Sequence, residues 1–541
     1  MADEGPGSWY ENAIIYQVPV GLLRDTDGNG WGDLAGVAES LQHVHDLGAN
    51  AIWLQPFYPS PYVDGGYDVI DHLGVSDRFG TEQDFKDLMT RADELDIKVI
   101  VDLVVQHTSK EHPWFREACR DPESTYRGYY IWADEPHDTI VEPVFPTVND
   151  SVWAWEESAG QYYRHTFYEH EPDLDVGHPG VRQEILRIVE HWLELGVAGF
   201  RVDAVPYMVA QAAEADPRDD GFWLLEEIQQ HVRQIRPDAV LIAESDVEPE
   251  RYTDYFGDGN RFTMLLNFWL NNHLFLAMAR QEAEPLVRAL TSQPIPPDGC
   301  HYAIWLRNHD ELDLERLTDA EREETMAAFA PEPQMRAFGR GIRRRLAPML
   351  SDPRRLKLAM FLLCALPGTP VLLYGDEIGM GENLELPDRA SVRTPMQWTG
   401  HRNAGFSDAA AIELVRPVID EGPFAYQHVN VTEQSKQPDS LLETLRYLFR
   451  LRRDLGPFRT RTAEVVELDD SRVLGLRHRD GTADVLMLAN LSPDRTEVTL
   501  PPGHREDWQE VVSDHDYDPS SGGEPIGLHG YGYRWFRTRS T

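Results

Sequence analysis

Short, nearly continuous apolar runs recur along the chain at 13–17, 51–54, 99–103, 199–202, 240–243, 263–267, 302–306 and 371–374. Turn residues bound each run, and stretches of helical periodicity separate them. A strand with one face in water alternates apolar and polar positions, whereas a strand covered on both faces reads as an unbroken run. Before the fourth run, Val181, Ile185, Ile188, Val189 and Trp192 fall on one stripe of a helix that Gly196 ends. Eight buried strands alternating with amphipathic helices predict a parallel sheet of the α/β class. Its economical eight-strand form is a closed (β/α)8 TIM barrel, with its chemistry at the C-terminal ends of the strands.

The rhythm breaks twice. Residues 104–176 are too many for a strand-to-helix loop and are dense in aromatics, among them Trp114, Trp132, Trp153, Trp155, Tyr162 and Tyr163. They predict a small B domain inserted after strand 3, placed to wall the site. From about residue 461 the helical pattern gives way to short alternating runs, which predict a C-terminal antiparallel β-sandwich over 461–541. The barrel then takes 1–103 and 177–460. The apolar run 358–374 has the length of a membrane span, but Pro367, Gly368 and Pro370 interrupt it. A core helix, a turn and a buried strand account for it better.

Charge narrows the partners. The 541 residues carry 92 acidic and 50 basic side chains, a formal charge of −42. Such a surface repels nucleic acid and anionic membranes, so neutral or cationic ligands are expected. Only Lys86, Lys98, Lys110, Lys357 and Lys436 are lysines. The acid excess points to a halophilic adaptation, in which salt screens a dense carboxylate surface; a GC-rich genome explains the arginine bias but not the acidity. Cys119, Cys300 and Cys364 are too scattered for a disulfide framework or a metal-ligand spacing, and the first residues lack the pattern of a signal peptide. A soluble cytoplasmic protein is expected; a homo-oligomer stays open.

Acidic residues stand where predicted barrel strands end: Asp102, Asp203 in Gly-Phe-Arg-Val-Asp, Glu244 in Leu-Ile-Ala-Glu, and Asp310 in Asn-His-Asp. A carboxylate directly after an apolar run is costly inside a core but expected at a barrel rim that does acid/base work. Each alone reads as a helix cap or structural ion pair; four together, with His107, Arg201 and His309 nearby in sequence, read as a site. Arg201 shares a strand face with Asp203 and supplies the cation a charged carboxylate needs.

The blocks 102–107, 199–203, Glu244 and 308–310, in that order, resemble glycoside hydrolase family 13, the α-amylase family, over nearly the whole chain. The resemblance implies Asp203 as nucleophile, Glu244 as acid/base and Asp310 as the carboxylate that steadies the transition state. It also implies His107, Arg201 and His309 around the glucosyl ring. Gly66-Tyr67-Asp68 and the run from Arg393 to Trp398 resemble the exo-acting branch of α-glucosidases and trehalose synthases. There Tyr67 stacks on the terminal sugar while Asp68 and Arg393 bond its far hydroxyls. The segments 48–60, 306–312, 341–348 and 402–407 resemble the trehalose synthases most. The expected activity is interconversion of maltose and trehalose by glucosyl transfer, with some hydrolysis. Hydrolysis of short α-glucosides from the non-reducing end is the second reading, and a silent binding subunit the third. The segment 310–350 is placed to form a lid, which isomerisation needs because water competes for the glucosyl-enzyme.

Three blocks depart from the family pattern. Gln106 replaces an Asn that commonly helps hold calcium, Glu171 replaces a Gln, and acidic residues expected after Tyr207 are missing. Another loop keeps the cation pattern: Asp25, Asp27, Asn29, Trp31 and Asp33 alternate through a glycine-rich stretch. Oxygen ligands at that spacing suit structural Ca²⁺, with Mg²⁺ as the variant, and a metal-free Asx turn is the alternative. No organic cofactor is expected.

Overall fold

A computed structural model describes residues 8–137, 143–145, 148, 150–215, 220–456, 458, 461–480, 483–518 and 524–538. Eight parallel strands close into a barrel: β1 (Ile15–Val18), β2 (Ala51–Leu54), β3 (Lys98–Leu103), β4 (Gly199–Val202), β5 (Val240–Ala243), β6 (Met264–Leu266), β7 (His301–Trp305) and β8 (Thr369–Leu373). Each pairs with its neighbour in sequence, and β8 returns to β1 through Ile15 opposite Val371. The predicted runs match these strands to within one or two residues. One difference is chemical: Pro370, expected in the turn before the last strand, lies inside β8 opposite Ile304.

Side-chain alternation builds two cores from each strand. Ile15, Ala51, Trp53, Ile100, Val240 and Ile242 fill the barrel interior. Tyr16, Ile52, Val99, Val101, Phe200 and Leu241 face the surrounding helices. The same period of two turns Gln17, Asp102, Arg201 and Glu244 inward at the C-terminal rim. The helices are fixed at their ends by local chemistry. Asp33 caps Leu34–Leu47 by accepting the Gly36 amide, and Gly48, at φ 97°, ends it. Thr81 and Asp84 form a capping box on Glu82–Glu94. Gly199 is required where it stands, since a Cβ there would lie 2.1 Å from the Val240 carbonyl oxygen.

The insert holds a helix (Pro113–Arg120) and three antiparallel strands, Trp132–Ala133, Trp153–Glu156 and Gln161–Arg164. Among the described residues its own buried cluster is Ala133, Val152 and Trp153, whereas Phe115, Tyr129, Tyr130 and Tyr163 belong to the main core. Of the aromatics that mark this segment in sequence, Tyr163 thus anchors it to the barrel, with Trp114 and Trp132 packed against the same core, while Trp153 stays in the insert's own cluster.

After β7 a second excursion forms a small sheet (Leu312–Asp313, Arg336–Ala337, Gly341–Ile342) and a helix, Asp319–Phe329. Its tip residue Phe338 packs on Phe145 of the insert, with ring centroids 4.7 Å apart. The two excursions therefore meet over the C-terminal rim. The last strands form an antiparallel five-stranded sheet and a two-stranded one around Leu486, Leu488, Trp508 and Phe536. No described helix is long and apolar enough to cross a membrane.

Candidate active site

The rim gathers acids around one buried cation. Arg201, 1% exposed, donates through Nη1 to Asp203 and to Asp102 (3.0 Å), and its Nη2 lies 2.6 Å from Glu244 Oε1. Trp53 Nε1 donates to the other Asp102 oxygen at 2.7 Å. Burial pushes the Asp102 carboxyl up to about 7 although Arg201 and Trp53 pull against it. The sequence placed Arg201 beside Asp203; its contact with Glu244 is additional.

Glu244 is positioned by backbone as well. Ala204, directly after Asp203, has φ 54°, a left-handed conformation that costs a non-glycine residue about 1–2 kcal/mol. In that conformation its amide donates to Glu244 Oε2 at 3.0 Å. The left-handed backbone at this residue thus aims the amide that positions the Glu244 carboxyl. Burial drives Glu244 up to about 7; Arg201 opposes this, and Asp203 and Asp310 add to it.

Asp310 has the opposite environment. Burial alone would raise it, but Arg389, His309 and Arg393 outweigh that and hold the carboxyl well below the usual range. Arg393 Nη2 donates to Oδ1 at 2.6 Å and its Nε to the His309 carbonyl at 2.7 Å. Glu244 is thus a carboxyl pushed up into the neutral range, where it exchanges its proton, and Asp310 one that stays charged. Carboxyls split in this way suit proton donation beside stabilisation of developing positive charge.

Tyr67 and His309 lie parallel, 5.5 Å apart at 8°, and their hydroxyl and Nε2 are 2.9 Å apart. The pair lines one cavity with Trp31, Tyr62 and Arg393, and a second cavity is walled by Glu244, Asp310, Tyr207, Phe268, Arg340 and Arg389. His107 is buried beside Tyr67, its Nε2 3.2 Å from the Tyr67 carbonyl. Asp68 is fully buried, and its oxygens accept from the Ser60 hydroxyl and the amides of Val63 and Asp64. In this structure it holds the turn that carries Tyr67.

Sequence reasoning passed over Gln17, Trp53, Arg389 and Glu311. Arg389 reaches the site from the 3-10 turn Asp388–Val392, donating to Glu311 at 2.7 Å and lying 3.4 Å from Asp310. Nothing near it in sequence marks it. Gln17 had a signal, as a polar residue ending an apolar run, the same sign that marked Asp203.

The departures in the insert also resolve into contacts. Asp173 accepts from Arg164 Nε (3.1 Å), the Thr166 amide (2.9 Å) and the Thr166 hydroxyl (2.6 Å). A guanidinium thus supplies positive charge beside Asp173, and no group of three metal-ligating side chains gathers there among the described residues. Glu171 is buried, with Oε1 3.9 Å from His107 Nε2 and 3.8 Å from His170 Nε2. Burial, with Asp64 and Asp68, pushes it well above the usual range.

In the loop before the first barrel helix, carboxylate oxygens of Asp25, Asp27 and Asp33 lie within 4.8 Å of one another. No lysine or arginine pairs with them among the described ion pairs, though Asp25 accepts the amides of Gly28 and Gly30 and Asp33 accepts that of Thr26. The Asn29 side-chain oxygen is turned to the Trp31 amide at 2.7 Å. Three acids clustered without a cationic side chain suit a hard cation.

The α-amylase catalytic-domain model matches residues 21–330 and 342–458, so the chain belongs to the α-amylase family, glycoside hydrolase family 13. Residues 470–536 match the C-terminal immunoglobulin-like domain of D-apionate lactonase. A trehalose synthase of Pimelobacter sp. (strain R48) is 37% identical over 98% of this chain and 96% of its own length. A trehalose synthase/amylase of Mycobacterium tuberculosis is 38% identical over 98% and 90%. Among solved structures, trehalose-6-phosphate hydrolase of Bacillus licheniformis superposes with a TM-score of 0.78 at 24% identity, covering 98% of this chain and 99% of that one. That likeness carries the fold.

Proposed function

We propose that this protein is a retaining α-glucosyl enzyme of the trehalose synthase type, interconverting maltose and trehalose with some hydrolysis. The observation that carries the chemistry is the single guanidinium of Arg201 holding Asp203 and Glu244 side by side. Closely spaced carboxyls suit double displacement rather than attack by an interposed water. Full-length likeness to trehalose synthases carries the substrate class.

In the reaction, Asp203 attacks the anomeric carbon and Glu244 gives its proton to the departing glycosidic oxygen. This leaves a β-glucosyl ester and free glucose. Asp310 stabilises positive charge on the ring as it develops. Glucose then turns to present its anomeric hydroxyl, Glu244 takes that proton, and the oxygen displaces Asp203 to form trehalose. Water in place of glucose gives hydrolysis, the second reading. The contact of Phe145 with Phe338 favours transfer, because it joins insert and lid over the cavity that would retain glucose.

The loop of Asp25, Asp27, Asn29, Trp31 and Asp33 would hold Ca²⁺ or Mg²⁺ and brace the start of the barrel. A 5-fluoroglucosyl fluoride, which slows breakdown of the intermediate, tests the chemistry. Mass spectrometry is expected to find the label on the peptide containing Asp203; label on another residue, or no labelled enzyme, overturns the assignment.

A further inference from the structure

Gln17 is the penultimate residue of β1, on the inner face of the barrel, and is fully buried. Its Nε2 lies 2.7 Å from His309 Nδ1, and its Oε1 has no partner. The other ring nitrogen, Nε2, stands 3.1 Å from Asp310 Oδ2 and 2.9 Å from the Tyr67 hydroxyl. Tyr67 in turn reaches Asp102 Oδ1 at 3.4 Å.

With the Gln17 amide nitrogen towards Nδ1, these contacts and the burial of the ring select one arrangement of protons. A bare ring nitrogen facing the Asp310 carboxylate would set lone pair against lone pair, so Nε2 carries hydrogen. Burial disfavours the imidazolium and holds His309 well below its ordinary range. The ring is then neutral, with Nδ1 as an acceptor, and Nδ1 needs a donor. A buried carbonyl or carboxylate at position 17 would demand the opposite tautomer or a charged ring. The glutamine amide supplies N–H instead, at the cost of leaving its own oxygen without a partner.

We infer that Gln17 is a positioning residue that fixes His309 as the neutral Nε2–H tautomer, so that the ring donates towards Asp310 and Tyr67. A directed chain follows: Gln17 donates to His309, His309 to Tyr67, and Tyr67 to Asp102. The inference deepens the proposed α-glucosyl chemistry and rests on that reading for its catalytic consequence. The tautomer itself does not depend on it.

Nitrogen-15 NMR of the unmodified protein labelled at histidine tests the tautomer directly, with the His309 signal identified by its loss in His309→Asn. The expected spectrum has a protonated Nε2 and an unprotonated Nδ1; a protonated Nδ1 overturns the inference whether or not the enzyme turns over maltose. The near-isosteric Gln17→Glu and Gln17→Met provide the kinetic arm. Gln17→Met is expected to lower kcat by about 10–100-fold with KM changed little. Gln17→Glu places a carboxylate at Nδ1, opposite Asp310. His309 should then take a second proton amid Asp102, Asp310, Tyr67, Arg201, Arg389 and Arg393, adding an ionisation to the pH profile. Wild-type kcat and an unchanged pH profile in both folded variants would also overturn it. Should neither variant fold, the NMR measurement decides alone.

Discussion

Glu244 and Asp203 touch opposite terminal nitrogens of the Arg201 guanidinium, Glu244 at 2.6 Å. In the proposed mechanism, two carboxyls that act in different protonation states thus share one cation. Position separates their roles: Glu244 also takes the Ala204 amide and is driven up to about 7 by burial.

The sign of the pH effect follows. Glu244 donates from its protonated form, so kcat/KM on maltose should fall as pH rises through about 7. Glu244→Gln should remove that limb and lower activity by about 10²–10⁴-fold, with a smaller loss on substrates whose leaving group needs no proton. Asp203→Asn should lose as much on every substrate. Azide should restore part of the turnover of Asp203→Ala on an activated α-glucoside and give the β-glucosyl azide. Near-normal turnover in either variant contradicts the roles.

Phe145 and Phe338 come from different excursions, and Arg389 lies over both rings. Phe338→Ala or Phe145→Ala should open the rim and let glucose escape. The ratio of free glucose to trehalose formed from maltose should rise several-fold, with total turnover changed little. An unchanged ratio would show that this contact does not retain glucose. Intact starch should remain a poor substrate for the closed wild-type pocket.

The cluster of Asp25, Asp27 and Asp33 repels itself without a cation. A chelator should lower the melting temperature by about 2 °C or more, and added Ca²⁺ should restore it. Asp25→Ala should abolish both responses. Identical melting with and without added Ca²⁺, in protein freed of metal beforehand, leaves the loop as a hydrogen-bonded turn.

Stability should rise from dilute buffer to molar KCl, because a formal charge of −42 repels itself and the Debye length falls to about 3 Å at 1 M salt. A melting temperature that is flat or falling over that range rules out the salt-adapted surface.

The barrel was legible because each strand is buried on both faces and so reads as an apolar run. The site was legible where such a run ends in a charge, at Asp102, Asp203 and Glu244. Three features were not. The left-handed Ala204 leaves no mark in side-chain chemistry, yet it aims the amide that Glu244 accepts. Arg389 enters from a turn nearly 80 residues after Asp310, so only the folded chain shows their pairing. The insert reads in sequence as a separate unit because its aromatics are local, but Phe115, Tyr130 and Tyr163 bury themselves in the main core.

The central claim concerns what replaces Asp203 at the anomeric carbon, and a product time course on maltose alone addresses it most directly. Glucose held beneath the lid should turn and be reglucosylated at its anomeric oxygen. Trehalose should therefore accumulate from the first time points, with free glucose the lesser product, and trehalose supplied alone should yield maltose. If glucose instead appears at two equivalents per maltose consumed, with no trehalose at any time, the enzyme is a hydrolase and the account of retention by the lid is wrong.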